Sequence, residues 1–346
     1  MLRLLLIVSV LLASAVILTA APVAYPGTVW KKENPASAGL DASLLREFAK
    51  RVGGDGCVIR NGVMVHEWGD VTSNRDWASA AKPVLATLLL IAVNNRLLPS
   101  PDTPVRTVGW PLQGKDAGIT FSQLANMTSG YARGEAPGTA WSYNDYGIQL
   151  LARSLERVFK CPLDEAARRH LAPLQFQDST IFASRNGLGL TLSPRDMARL
   201  GWLWLNEGRW KDRKIVSNKL FHRGIRIQVP ASLPLSQQPG QDYLGIGTYG
   251  GGAFQSTNGP GVYGMGFWFN GLLPNGRRTW PSLPADTFQA NGAWNRDTVT
   301  VFPSLNMVVV TSMADRPGKF SPGSKGTGDR NFRMLIDALK DPPRRE

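Results

Sequence analysis

Ser79-Ala-Ala-Lys82-Pro-Val-Leu-Ala-Thr-Leu-Leu-Leu-Ile-Ala-Val-Asn94 sets a serine and a lysine three residues apart at the head of a long apolar run. The run predicts a buried helix. Positions i and i+3 of a helix share a face, with Cβ atoms about 5–6 Å apart, so the Lys82 ammonium can reach the Ser79 hydroxyl. The first turn also offers unpaired N–H groups and the positive end of the helix dipole, which stabilise a developing oxyanion. A serine hydroxyl needs an adjacent base to become a nucleophile, and a desolvated lysine serves if its pKa is lowered. Serine at a helix start is also a common N-cap, a role compatible with the first.

Two further stretches have the same character. Pro137-Gly-Thr-Ala-Trp-Ser-Tyr143-Asn144-Asp145-Tyr-Gly-Ile-Gln-Leu-Leu151 delivers a tyrosine from a Gly/Pro turn to the start of another apolar helix. Asp286-Thr-Phe-Gln-Ala290-Asn291-Gly292-Ala293-Trp-Asn295 precedes two strand-like runs, Thr298–Phe302 and Met307–Ser312. Around these lie Ala38-Gly-Leu-Asp41, Met127-Thr-Ser-Gly130 and Leu192-Ser-Pro-Arg-Asp-Met-Ala-Arg-Leu200. In order and spacing, from about Trp30 to Leu339, the chain resembles the serine beta-lactamase and penicillin-binding-protein-like hydrolases. That superfamily includes class C beta-lactamases, D-alanyl-D-alanine peptidases, family VIII-type esterases and 6-aminohexanoate-dimer hydrolases. The resemblance implies an α/β (α+β) fold of beta-lactamase/transpeptidase type. Its antiparallel sheet comes from both chain ends and is flanked by helices, with a mostly helical lobe inserted over roughly 95–280.

The resemblance makes Ser79 the acyl-accepting nucleophile and Lys82 and Tyr143 its proton carriers. Tyrosine, with a pKa of about 10, is a poor base near neutrality. Beside an ammonium its phenolate is favoured, so the three residues can pass one proton among themselves; which of Lys82 and Tyr143 is the base stays open. The family commonly has Tyr-x-Asn where this chain has Asp145. Aspartate cannot donate an amide hydrogen bond to a substrate carbonyl, but it can hold Lys82 by charge. Tyr-Asn-Asp resembles the branch near the 6-aminohexanoate-dimer hydrolases and esterases. The third motif, Lys-Thr-Gly or His-x-Gly in the family, is Ala290-Asn291-Gly292 here, so its carboxylate-binding cation is missing; Arg296 is a nearby substitute. Gly292 leaves the backbone open to close approach. The N–H of Ala293, with that of Ser79, would form the oxyanion hole, and Asn295 completes the candidate substrate-binding set.

The leading expectation is an exported serine hydrolase that cleaves ester or amide bonds of a small-molecule or peptide-like acyl substrate through a Ser79 acyl-enzyme. Its rivals are a beta-lactamase or D-Ala-D-Ala carboxypeptidase, and a catalytically inactive envelope-binding module of the same fold.

At 346 residues, 43% of them hydrophobic, the chain can bury a full core. Met1-Leu-Arg3 followed by Leu4 to Leu18, apolar except for Ser9 and Ser14, has the form of a secretory signal. No charge occurs from Leu4 to Trp30, which is long enough to span a bilayer. Residues 1–24 are therefore expected to be a signal peptide or an N-terminal membrane anchor (through residues 4–24), 25–37 a linker, and 38–342 the hydrolase domain, in the periplasm or outside the cell. Cys57 and Cys161 permit one disulfide in an oxidising compartment, but the strand-like setting of Cys57 favours a small buried hydrophobe. His66, His170 and His222 stand in no ligand spacing, so neither metal nor cofactor is expected. The net charge of +13 invites a nucleic-acid reading. The basic residues are scattered, however, with no stripe of a nucleic-acid module; adsorption to anionic envelope polymers and headgroups is the simpler consequence. The sequence leaves the oligomeric state open.

Asp41 is expected to cap a helix, Ala42 to Val52, with Leu44, Leu45 and Phe48 on one face. Cys57–Arg60, Asn61-Gly62 and Val63–Trp68 predict a hairpin. Helices are expected at 147–158, 162–171 and 194–207, and Gly/Pro-rich loops at 229–262. In the glycine-dense stretch from Tyr243 to Gly266, Tyr249, Phe254 and Tyr263 are candidates to line a cleft. The C-terminal strands need a partner, and the N-terminal hairpin is the one available.

Overall fold

Asp41 starts the first helix as its sequence demands: the carboxylate accepts hydrogen bonds from the N–H groups of Ser43 (2.7 Å) and Leu44 (3.1 Å). The computed structural model describes residues 23–178, 190–248, 258–293, 295–313 and 328–340. The export segment through residue 22, Tyr249 and Phe254 lie outside the described residues. The helices are α1 (Ala42–Val52), α2 (Lys82–Asn94), α3 (Phe121–Ala125), α4 (Asp145–Phe159), α5 (Leu163–Leu171), α6 (Pro194–Leu205), α7 (Asn218–Gly224) and α8 (Asp329–Asp337). The strands are β1 (Asp55–Arg60), β2 (Val63–Trp68), β3 (Arg75–Asp76), β4 (Thr191–Leu192), β5 (Arg209–Trp210), β6 (Arg213–Lys214), β7 (Tyr263–Gly264), β8 (Phe267–Phe269), β9 (Phe288–Gly292), β10 (Asp297–Phe302) and β11 (Met307–Ser312).

Seven strands form one antiparallel sheet in the order β2-β1-β11-β10-β9-β8-β7. The N-terminal hairpin turns at Asn61-Gly62, with Asn61 at φ 52° as such a turn requires. Its inner strand pairs with the last one, Asp55 opposite Ser312 and Arg60 opposite Met307. The sheet is thus closed from both chain ends, as the resemblance implied. β10 and β11 are buried on both faces; β11 opens with the apolar run Met307–Val310, and the buried threonines of β10 are hydrogen-bonded, Thr298 to Thr311 (3.0 Å) and Thr300 to Gln289 (2.8 Å). Cys57, Ile59, Val299, Val308 and Val310 belong to the core shared with α2, α4 and α6. Val58, Phe302, Met307 and Val309 belong to a second core with Leu45 and Phe48 of α1 and Phe332 and Leu335 of α8. The cysteines are free thiols, Cys57 fully buried in β1.

Three differences from the sequence reading have physical causes. Ser79 is not an N-cap: it lies in a 3-10 turn, Ala78–Ala81, and α2 begins only at Lys82, with no side-chain cap at either start. Asn144 caps α4 by accepting from the N–H groups of Tyr146 (3.0 Å) and Gly147 (3.4 Å), so that helix begins at Asp145, before the expected 147. Residues 25–37, expected as a linker, are bound to the domain. Arg199 donates to the carbonyls of Gly27 and Thr28 (both 3.0 Å), Trp30 donates to that of Arg195 (2.9 Å), and Glu33 and Met64 form a backbone hydrogen bond of 3.0 Å.

Candidate active site

The serine sits on a fastened turn. Trp77, fully buried, donates through its indole N–H to the Leu192 carbonyl (2.8 Å) and through its backbone N–H to Leu190 (3.0 Å). The next residue, Ala78, is forced to φ 45° and held there by the Asp76 carboxylate, which accepts its N–H at 2.8 Å. The Leu192–Leu200 motif anchors this arrangement from below. Ser193 caps α6, and the Asp196 carboxylate accepts the N–H groups of Gln177 (2.6 Å) and Asp178 (2.9 Å). That motif's work is to hold the frame that carries Ser79.

Lys82, one turn on, is 2% exposed. Its ammonium donates to Ser79 Oγ at 2.7 Å and lies 3.0 Å from a carboxylate oxygen of Asp145, itself 2% exposed, at the start of α4. It also stands 4.7 Å from the centroid of the Tyr143 ring. Burial pulls the lysine pKa down, but the charges of Tyr143 and Asp145 and their hydrogen bonds outweigh it, and the net shift is upward. The sequence left open which of Lys82 and Tyr143 is the base; Tyr143 first, and then Asp145 from the start of another helix, favour the ammonium form of Lys82.

Tyr143 is placed by its neighbours on the turn before α4. Ser142 donates its backbone N–H to the Met127 carbonyl (3.0 Å), and the Asn144 amide donates to the Tyr131 carbonyl (2.6 Å). These bonds use Met127, at the head of the Met127-Thr-Ser-Gly130 segment, and Tyr131, just after it, as a brace. The Tyr143 ring stacks on Trp268 (centroids 6.1 Å apart, 23° between planes) and meets Tyr263 edge-on at 6.4 Å.

The third motif comes against the serine turn from β9. A Cβ on Gly292 would collide with the Trp77 carbonyl oxygen and stand 3.1 Å from the Ala80 nitrogen, so only glycine lets the strand approach this closely. Ala293 and Asn295 follow at φ 46° and 67°. Asn295 is tied to Asn291: its N–H donates to the Asn291 side-chain oxygen at 3.0 Å, and its own side-chain oxygen accepts from the Asn291 amide. Ala290 is fully buried opposite Val299. The Arg296 guanidinium donates to the Met313 carbonyl (2.9 Å) at the end of β11. The structure therefore brings together Ser79, Lys82, Tyr143 and Asp145, and sets Gly292 against the serine turn.

Sequence reasoning missed the aromatic wall. Trp141, Tyr263 and Trp268 pack around Tyr143, with Trp141 and Tyr263 at 5.8 Å and Tyr263 and Trp268 at 4.9 Å. Tyr263 was a cleft candidate; Trp268 was not. The signal was the pair of aromatics flanking Gly266, where the chain turns back. A Cβ there would meet the Lys82 carbonyl carbon at 2.8 Å, so this turn lies directly on the head of α2.

The Lys82–Asp145 pair makes a stability prediction. Asp145→Ala leaves a buried ammonium without its counter-charge and is expected to cost about 3–5 kcal/mol, measured by urea unfolding at neutral pH. Because the folded pKa of Lys82 is raised, this contribution is complete below the ordinary lysine value of about 10.4. It is lost as pH rises through the folded value, so variant and parent should converge in strong alkali. An unchanged unfolding midpoint would contradict the pair's role.

The sequence profile described as Beta-lactamase matches residues 42–320. No functionally curated protein matches the chain. Among solved structures it is similar to a beta-lactamase from Mycobacterium bovis, with 20% identity and a TM-score of 0.58 over 86% of this chain and 99% of the other. A protein assigned as a 6-aminohexanoate-dimer hydrolase from Bacillus anthracis matches with 16% identity and a TM-score of 0.60, over 90% and 87%. A beta-lactamase/D-alanine carboxypeptidase from Yersinia pestis matches with 16% identity and a TM-score of 0.59, over 89% and 100%. At such identities the structural likenesses establish the fold, while the profile covers most of the chain, from α1 to beyond β11: the protein belongs to the beta-lactamase family.

Proposed function

We propose that the protein is an exported serine hydrolase that cleaves esters or amides through a Ser79 acyl-enzyme. The observation that carries this reading is the Lys82 ammonium, bonded at once to Ser79 Oγ and the Asp145 carboxylate in a buried site. An ammonium cannot accept the serine proton, which leaves Tyr143, its ring 4.7 Å from that ammonium, as the proton acceptor. As Ser79 Oγ attacks the carbonyl carbon, its proton passes to Tyr143. Collapse of the tetrahedral intermediate breaks the bond to the leaving group, which takes that proton from Tyr143. Water then attacks the acyl ester, giving a proton to Tyr143, which returns it to Ser79 Oγ as the acid departs. The N–H groups of Ser79 and Ala293 bind the oxyanion, worth about 2.7–4 kcal/mol per donor; the tight seating of Gly292 against the serine turn supports this pairing. Residues 1–24 direct export or anchor the chain, 38–342 form the hydrolase, and the substrate is a small or peptide-like acyl compound.

The substrate class follows from charge. Asp145 puts a carboxylate beside Lys82, and Ala290 offers no cation where the family has one. An anionic group near the scissile carbonyl would be desolvated without a partner, a cost of about 1–3 kcal/mol or more. The kcat/KM for p-nitrophenyl butyrate should therefore exceed that for benzylpenicillin or nitrocefin by at least about tenfold, the ratio that 1.4 kcal/mol produces. Faster turnover of benzylpenicillin would reverse the assignment in favour of a beta-lactamase.

A further inference from the structure

The segment that follows the export sequence is fastened along the domain. Trp202 donates its indole N–H to the Ala24 carbonyl at 3.0 Å. The same carbonyl oxygen lies on the turn of the N-terminal hairpin, where a Cβ on Gly62 would stand 2.2 Å from it. The Tyr25 ring meets Trp210 edge-on at 5.4 Å, and Arg199 holds the carbonyls of Gly27 and Thr28. The strap from Ala24 to Trp30 is therefore part of the domain. Of the charge-free stretch that begins at Leu4, only the twenty residues 4–23 are left outside it. About twenty apolar residues are what a helix needs to cross the hydrocarbon of a bilayer. An anchor made of these residues has no slack, and the surface around Ala24 then lies at headgroup level.

That surface is basic. Trp210, on which Tyr25 packs, belongs to the β5–β6 hairpin, which exposes Arg209, Lys211, Arg213 and Lys214, with Asp212 as its single acid. Arg209 and Lys214 are cross-strand partners. Like charges set directly opposite each other destabilise a strand pair. None of the four cations forms an ion pair among the described residues, so no described side chain relieves this repulsion. An anionic surface relieves it. We propose that the β5–β6 hairpin is a docking surface for anionic phospholipid headgroups, seated on the membrane by the strap that leads from the anchor. The proposal rests on the export reading above in its anchored form, and not on the chemistry at Ser79. Juxtamembrane lysines and arginines feel the negative surface potential only within about one Debye length, about 10 Å at 0.1 M salt. A hairpin tied to the end of the anchor is held inside that range.

The test uses the full chain with Cys161→Ser and a thiol-linked fluorophore at Asp212→Cys, on the hairpin tip. The control carries the fluorophore at Asn275→Cys, in the exposed loop after β8, towards the sheet edge opposite β2. Each protein is reconstituted into phosphatidylcholine vesicles, with or without phosphatidylglycerol, that contain a lipid bearing a nitroxide on its headgroup. The probe at 212 should be strongly quenched in the phosphatidylglycerol vesicles, and the probe at 275 should not. Lys211→Glu, Arg213→Glu and Lys214→Glu together should bring the signal at 212 down to the control level. Salt at about 1 M, where the Debye length is about 3 Å, should do the same. Glutamate opposite Arg209 turns a repulsion into an attraction, so the triple variant should melt no lower than the parent. It should also turn over p-nitrophenyl butyrate at the parent rate. Equal quenching at 212 and 275, or quenching at 212 that ignores lipid charge and the substitutions, overturns the docking surface. A full chain that hydrolyses the ester but does not float with the vesicles overturns the anchored form and the docking surface together. Charge-dependent quenching in a parent that turns over no ester upholds the docking surface and counts against the hydrolase reading alone.

Discussion

Alanine at position 79 is expected to lower ester hydrolysis by roughly ten-thousandfold or more, the scale of losing a catalytic nucleophile, while the protein stays folded. Ser79 is partly exposed on a 3-10 turn, and its hydroxyl accepts a hydrogen bond from Lys82. The turn itself is held by Trp77, Asp76 and the strand pairing at Arg75 and Leu192, none of which needs the serine side chain. The unfolding free energy should therefore change by no more than about 1 kcal/mol. In the parent, a fluorophosphonate probe should modify the peptide containing Ser79, read by mass spectrometry. An adduct on another serine, with Ser79 unmodified, would end the assignment.

The second large effect concerns a shared proton. Lys82→Ala and Tyr143→Phe are each expected to reduce kcat by about a hundredfold to ten-thousandfold. The double variant should be scarcely slower than the slower single one, because the two side chains serve one proton-transfer step. Lys82→Ala also strands the buried Asp145 carboxylate, so its rate must be read at a temperature well below its own unfolding midpoint. Losses that multiply cleanly would mean that the residues act independently, and the single-proton mechanism would fail.

Local features were legible in the sequence. Asp41 before an amphipathic run, Asn61-Gly62 between two short apolar runs, and Ser79 three residues ahead of Lys82 each encode their geometry within a few positions. What stayed hidden depended on residues far away in the chain. Residues 25–37 have the composition of a linker, and nothing local says that Arg199 will take the carbonyls of Gly27 and Thr28. The wall around Tyr143 is built from Trp141 and from Tyr263 and Trp268, more than a hundred residues later, on strands too short to stand out in a glycine-rich stretch. That Asp145 could hold Lys82 by charge was legible; that it would do so at 3.0 Å from the start of a different helix was not.

The joining of residue 55 to residue 312 in the sheet sets a timetable for the nascent chain. Ser79, Lys82 and Tyr143 are synthesised in the first half, yet the strand that packs on the serine turn carries Gly292, and that strand needs β10 and β11 to bind it to the hairpin. Pairings this distant form late, after the cost of closing a very long loop. On the proposed reading, the serine turn therefore meets its Gly292 strand only when the last strands arrive, and until then the emerging Ser79 lacks the partner strand it needs to react.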